Sequence, residues 1–355
     1  MDTVLCDISA FRLHRVPPQV VAVMPSLASV ASSASRLAFA RHPTTKELLG
    51  SPVHRLCFDR SRRNGGKGRN FKDHLWSYSS RGISIESHPI GCEVTSPLYT
   101  LLFLARHVTF EQLLMAMYEM CGTFAVFRPS RAIEFELSKL PARFEMDGIS
   151  NWERVINADG SATDLWKRPP LVAVDELQKF ADESEGLTGH KAFAFAAKYL
   201  TGVTASPFEA QASMLLGLPR CLGGEGFAAI ENNKRIFLTR NASNLALRGT
   251  CYADLYIEAH GDIPPLDIEC HGRGVHGGER ASLSDAERAT GLESMGINVV
   301  QLTHGQIQNR ARFEGAIQLI ADLQGVRVPR KSDGLKKKEN VLRQQIFSDW
   351  ATLCS

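Results

Sequence analysis

Apolar residues recur at helical spacing along several stretches of this chain and alternate with polar residues along others. In the first part, to residue 128, Ser9–Arg15 reads as a short helix. His54–Asp59 and His74–Ser79 read as strands on either side of a Gly-rich segment, Arg60–Lys72. Ser96-Pro97 opens a helix with proline at its first position, where the missing N–H costs nothing. Its apolar stripe is Leu98, Leu101, Leu102 and Ala105. Thr109 and Gln112 form a capping box for a second helix, lined by Phe110, Leu113, Leu114, Met117 and Cys121 and ended by Gly122. Residues 1–128 are therefore expected to form a mixed α/β domain.

Residues 129–205 show short helical patterns between prolines and glycines. Phe193, Ala196, Ala197 and Leu200 give the clearest stripe, and a helical connecting layer is expected. In residues 206–326, Ser206-Pro207-Phe208-Glu209 opens a helix running to about Leu216. Arg235–Thr239, Cys251–Ile257 and Leu266–Cys270 read as strands. Ser284-Asp285-Ala286-Glu287 reads as a capping box for a helix that Gly296 stops, and Asn298–Thr303 as a fourth strand. Phe313, Ala316, Ile317, Ile320 and Ala321 stripe a last helix. The order α-β-β-β-α-β-α predicts an α/β fold whose β-α-β crossover makes one parallel strand pair. Residues 327–355 read as a basic tail with a short helix around Val341–Trp350.

Composition narrows the class. A chain of 355 residues with 44% hydrophobic and 22% charged residues is neither disordered nor fibrous, and its length suggests about two domains. The eight cysteines include no CxxC pair, which points away from a zinc ribbon or disulfide framework and toward a reducing cytoplasm. No apolar run reaches membrane-span length. Val20–Ala40 has some signal-peptide character, but it follows acidic Asp2 and Asp7 and is interrupted by Pro25, so secretion is not expected. The net charge of +3 is unevenly placed. Arg60, Arg62, Arg63, Lys67, Arg69 and Lys72 contribute +6 without an acid, and Arg327–Lys338 contributes +5, leaving −8 on the rest. Two concentrated basic segments on a mildly acidic body suit a phosphate-bearing polymer, although solvated loops would look the same.

Three acids fall at telling positions. Glu209 sits in the first turn of its helix, Asp254 inside a strand, and Glu269 near the end of the next, with His271 two residues on. Residues i and i+2 of a strand share a face, so Glu269 and His271 point one way, and Asp254 can face the same cleft. Converging carboxylates form a hard oxygen site suited to Mg²⁺ or Mn²⁺. Glu209 also has a complete structural account as a capping residue. Asp254 and Glu269, each flanked by apolar residues, are harder to explain without a counter-charge. Gly224-Glu225-Gly226-Phe227-Ala228-Ala229 imitates a dinucleotide-binding turn but follows no strand. Cys251, Cys270, His271 and His276 lack the close pairing of a zinc site.

The stretches Ser206-Pro207-Phe208-Glu209, Ala253-Asp254-Leu255-Tyr256, Glu269-Cys270-His271-Gly272-Arg273-Gly274-Val275-His276, Asp285-Ala286-Glu287-Arg288 and Gly296-Ile297-Asn298-Val299-Val300 resemble the PD-(D/E)XK nuclease superfamily. Within it they are similar to very-short-patch-repair-like endonuclease domains. The resemblance covers about a third of the chain. It implies a restriction-endonuclease-like αβββαβ core and metal-dependent DNA hydrolysis. In that scheme Asp254 and Glu269 hold Mg²⁺ or Mn²⁺ and Glu209 assists. His271 stands where the superfamily has lysine, His276 donates a proton or contacts phosphate, and Asp285 and Arg288 support. The departure at His271 leaves two implied outcomes: an imidazole base near neutral pH, or an inactive site. Ser9-Ala10-Phe11-Arg12-Leu13-His14 and Thr95-Ser96-Pro97-Leu98-Tyr99-Thr100-Leu101 resemble AbiEi-like antitoxin proteins, without their usual winged-helix start. That likeness implies a toxin or phage-defence partner and, with an inactive site, a DNA-binding regulator.

Overall fold

The computed structural model describes residues 4–62, 70–78, 82–140, 152–227, 229–272 and 279–354. The chain is α/β. Among the described residues, no helix is long and apolar enough to cross a membrane.

The first sheet has five strands: β1 (Val4–Leu5), β2 (Val53–Cys57), β3 (Phe71–Leu75), β4 (Ile85–His88) and β5 (Cys92–Thr95). Their order is β3-β2-β1-β5-β4, with β2 parallel to β3, β1 parallel to β5, and the other neighbours antiparallel. The helix expected at Ser9–Arg15 spans Asp7–Leu13. The helix Pro97–Leu104 starts as the Ser-Pro signal predicts. The helix Phe110–Cys121 carries the full Thr109/Gln112 capping box and ends at Gly122. A Cβ at Gly122 would fall 2.6 Å from the Tyr118 carbonyl and 2.7 Å from that of Thr204, so only glycine fits there.

The middle region departs from the expected helical layer. Helices Arg131–Leu137, Val174–Glu183 and His190–Ala197 are present. Between them lies a three-stranded sheet of β6 (Phe124–Val126), β7 (Glu153–Ile156) and β8 (Ala162–Lys167), in the order β6-β8-β7. The turn joining β7 to β8 contains Asp159-Gly160, with Gly160 at φ +82°. Asp-Gly is a strong local hairpin signal. The strands themselves are short and mostly polar, with Val155 and Trp166 buried, which hides the alternation.

The C-terminal part has the four expected strands in order, with an unexpected short helix, Arg240–Ala246, between the first two. After the helix Pro207–Gly217 come β9 (Ile230–Phe237), β10 (Thr250–Ile257), β11 (Leu266–His271), the helix Glu279–Glu293 and β12 (Asn298–Thr303). The sheet order is β12-β11-β10-β9, with β11 and β12 parallel and the other pairs antiparallel. Two boundaries are corrected: the strand expected at Arg235–Thr239 spans Ile230–Phe237, and the helix start expected at Ser284 lies earlier. That helix begins at Glu279, so Ser284 lies inside it and is no N-cap. Arg248 donates to Ser284 Oγ instead, over 2.6 Å.

Residues 327–354 are not a solvated tail. The helix Asp333–Ile346 buries Leu342 and Ile346, and Trp350, Leu353 and Cys354 are also buried. Lys331 sits between Glu225 (2.5 Å) and Glu339 (2.9 Å). The largest apolar cluster joins Phe11, Tyr118, Phe124, Phe193, Leu215, Leu255, Ile268, Phe313, Leu342 and Trp350. This cluster, one of three among the described residues, runs through the N-terminal, middle and C-terminal segments.

Candidate functional site

The β10–β11 ladder pairs Ile257 with Leu266, Tyr256 with Asp267 and Leu255 with Ile268, and ends there. Leu255, Ile257, Leu266 and Ile268 face the main core. By strand alternation Asp254 and Tyr256, with Asp267, Glu269 and His271, occupy the opposite face. Just past the end of the ladder, the Cys270 amide donates to Asp254 Oδ2 over 2.8 Å in place of a backbone bond. The two strands thus part where their acids lie.

Glu209 performs the capping role its sequence predicts. Its amide donates to Ser206 Oγ (3.2 Å), that hydroxyl donates back to Oε1 (2.8 Å), and the Ala205 amide donates to Oε2 (2.6 Å). The same carboxyl is buried and electrostatically coupled to Asp254 and Glu269. Burial, reinforced by Glu269, raises its pKa above the ordinary value against the pull of those hydrogen bonds. Glu209 is both a cap and a member of the acid cluster.

Crowding buried carboxyls disfavours charging all of them. Burial, then the charges of Glu209 and Glu269, push Asp254 up to about 8. Asp267 is fully buried, and neither of its oxygens has a hydrogen-bond partner among the described residues. Burial and Glu269 push it up to about 10. The counter-charge in the cluster is Arg288, which ion-pairs with Glu269 Oε2 and donates to the Tyr252 carbonyl over 3.1 Å. Glu269 Oε1 remains buried without a partner among the described residues. The donor set is all oxygen, the kind a hard divalent cation takes, although no three of these carboxyls bring ligand atoms within 4.8 Å of one another.

The structure thus brings Glu209, Asp254, Glu269 and Arg288 together. His271 ends β11 on the same face, half-buried, with Nε2 unpartnered among the described residues. Asp285 is not at a helix start, because its helix begins six residues earlier. Arg288 spends its charge on Glu269 and not on Asp285. Arg60 and Lys72 are exposed, at the two ends of the basic segment, and Arg62 lies in a 3-10 turn. His276, Arg63, Lys67 and Arg69 lie outside the described residues.

Two features escaped the sequence reading. Asp267 lies two residues before Glu269, and the same-face rule that links Glu269 to His271 includes it. The second is a group in the N-terminal sheet, Asp7, His54 and His74, whose side chains could hold a metal ion. These residues come from the first turn of the helix Asp7–Leu13, from β2 and from β3. No local spacing connects them.

No family model, no curated protein and no solved structure matches this chain.

Proposed function

We propose that this chain is a metal-dependent DNA endonuclease whose reaction site is the carboxyl cluster at the parting of β10 and β11. The observation that carries this reading is that Glu209, Asp254 and Glu269, drawn from a helix and two strands, are buried acids that act electrostatically on one another, with one guanidinium among the described residues to balance them. Asp254 and Glu269 are the residues that would hold Mg²⁺ or Mn²⁺. Such an ion supplies Lewis-acid stabilisation of a scissile phosphate and lowers the pKa of a bound water. Glu209, its carboxyl held by Ser206 and Ala205, would assist through its charge on Asp254 and Glu269. His271, on the same face, is placed to exchange a proton with an attacking water. Arg288 balances charge on the acids and offers a bidentate group to phosphate. The exposed Arg60 and Lys72 would contact the DNA backbone independently of sequence. The PD-(D/E)XK resemblance of the same residues points the same way.

One observation favours a second reading, an inactive nuclease fold serving as a DNA-binding regulator or antitoxin. Arg288 already neutralises Glu269, and a protein without catalysis can keep such a pair as a structural substitute for a cation.

The test is incubation of the full chain with supercoiled and linear DNA and Mg²⁺ or Mn²⁺, beside Asp254→Asn and Glu269→Gln. The nuclease reading expects metal-dependent cleavage that falls by roughly 100-fold or more in both variants. Binding without cleavage, equal in all three proteins, selects the regulator. In either case affinity should fall steeply with salt, because each phosphate contact releases counterions. Affinity that ignores salt removes the role given to the basic segment.

A further inference from the structure

We infer that Asp7, His54 and His74 form a second, independent metal site, selective for a first-row divalent transition ion of the zinc class. His54 Nδ1 and His74 Nε2 each lie 3.1 Å from Asp7 Oδ2, and 3.1 Å from one another. The three donor atoms thus make an equilateral triangle. With ordinary metal–nitrogen and metal–oxygen distances of about 2.0–2.1 Å, an ion equidistant from all three sits about 1 Å above their plane, with ligand–metal–ligand angles of roughly 100°. That lies between tetrahedral and facial octahedral geometry.

Hydrogen bonding alone serves this triangle poorly. With neutral imidazoles, no placement of protons gives each of the three contacts a hydrogen of its own. If both ring nitrogens carry protons, two donors stand 3.1 Å apart with no acceptor between them. If only one does, the other presents a lone pair to the carboxylate. A cation at the common point engages three lone pairs together. Two imidazoles and one carboxylate are also the borderline donor set that zinc, cobalt and nickel prefer and Mg²⁺ does not.

The surroundings are built as a ligand shell requires. The three side chains are 0%, 4% and 10% exposed. His107 Nε2 lies 2.7 Å from Asp7 Oδ1 and 2.9 Å from Oδ2, so it bridges the two carboxylate oxygens and fixes their orientation, as outer partners of metal ligands do. The His74 ring packs edge-on against Phe103 at 5.7 Å, and the Cys6 amide donates to the His54 carbonyl over 3.2 Å. Asp7 itself holds φ +55°, a left-handed conformation that an aspartate adopts only at some cost and that aims its carboxylate at the two rings. His54 precedes and His74 follows the basic segment Arg60–Lys72 on parallel neighbouring strands, so one ion would pin both ends of that segment.

The test uses the full chain, stripped with a chelator and reloaded with Zn²⁺, Co²⁺ or Cu²⁺. Metal analysis after gel filtration should find one tightly held transition ion per chain, kept in Asp254→Asn and lost in His74→Gln and His54→Gln. Retention of the full stoichiometry by His74→Gln overturns the proposal. The copper-loaded wild type gives a readout that needs no variant to fold: its electron paramagnetic resonance spectrum should show coupling to two imidazole nitrogens. A spectrum without nitrogen coupling, or a wild type that holds no ion, also overturns it. Because Asp254→Asn is the control, this outcome is independent of whether the β10–β11 cluster cleaves DNA.

Discussion

Arg288, on the helix Glu279–Glu293, is ion-paired with Glu269 at the edge of β11, where both side chains are largely buried. A buried pair contributes little net stability when intact, but losing one partner strands the other. Arg288→Ala should therefore destabilise the metal-free protein by about 3–5 kcal/mol. Mn²⁺ should restore more of the loss in the variant than it adds to the wild type, since a cation can take over the neutralising role. Denaturant melts with and without Mn²⁺ measure both quantities. Equal stability of the two metal-free proteins would show that Arg288 does not compensate Glu269.

The raised carboxyls give stability a definite pH dependence. Asp254 at about 8 and Asp267 at about 10 bind protons in the folded state that the unfolded chain releases near 4. Their contribution is complete below the unfolded value and is lost as pH rises through the folded one. Metal-free protein should weaken from pH 4 upward through both groups, Asp254's contribution being lost by about pH 8 and Asp267's by about pH 10. Asp267→Asn should flatten that decline and stabilise the metal-free chain at pH 9 by on the order of 1–3 kcal/mol.

The same protons compete with metal at the carboxyl cluster. Mn²⁺ affinity at Asp254 and Glu269 should rise as pH approaches 8 and Asp254 ionises. Calorimetric titration at pH 6.5 and 8.5, in the His74→Gln background to isolate this cluster, should show tighter binding at the higher pH with fewer protons released. Affinity independent of pH would mean that Asp254 is not a ligand.

On the acid side the buried histidines act in the opposite sense. Burial lowers His14 to about 4, against a hydrogen bond to the Thr95 carbonyl, and lowers His88 to about 3. A depressed histidine contributes stability above its unfolded pKa near 6.5, and that contribution is lost as pH falls through the folded value. Stability should drop between pH 6.5 and 4, with His14 alone accounting for about 3 kcal/mol. Urea melts at pH 7 and 4.5 should show a smaller difference in His14→Gln than in the wild type.

Glu119 joins the chain's two ends. It accepts from Arg15 Nε (2.7 Å), Trp350 Nε1 (2.6 Å) and the Val126 amide (2.9 Å), and Arg15 also donates to the Trp350 carbonyl over 2.8 Å. Glu119→Ala leaves Arg15 buried without its partner and should cost about 3–5 kcal/mol. The loss should appear in the single transition of the whole chain, because the apolar cluster is shared. A variant in which only residues near the C-terminus loosen, by hydrogen exchange, would show that this segment is energetically separate.

What the sequence determined by itself is what local spacing governs. The order of helix and strands from Pro207 to Thr303, the capping box at Thr109, the Ser206 cap and the shared face of Glu269 and His271 follow from periodicities of 3.6 and 2 within a few residues. Tertiary structure decided everything that depends on which distant surfaces pack. Arg288 chose Glu269 over its neighbour Asp285 because its side chain, on the helix starting at Glu279, reaches Glu269 on β11 and the Tyr252 carbonyl on β10. The strands β7 and β8 carry little alternation of their own and pair around the buried Trp166. The polar, basic C-terminal stretch buries Leu342, Ile346 and Trp350 because the core offers them contacts that no charge count reveals. Asp7, His54 and His74 meet only once β1, β2 and β3 are in register. Burial energy and strand registry are properties of the assembled chain, and no local window contains them.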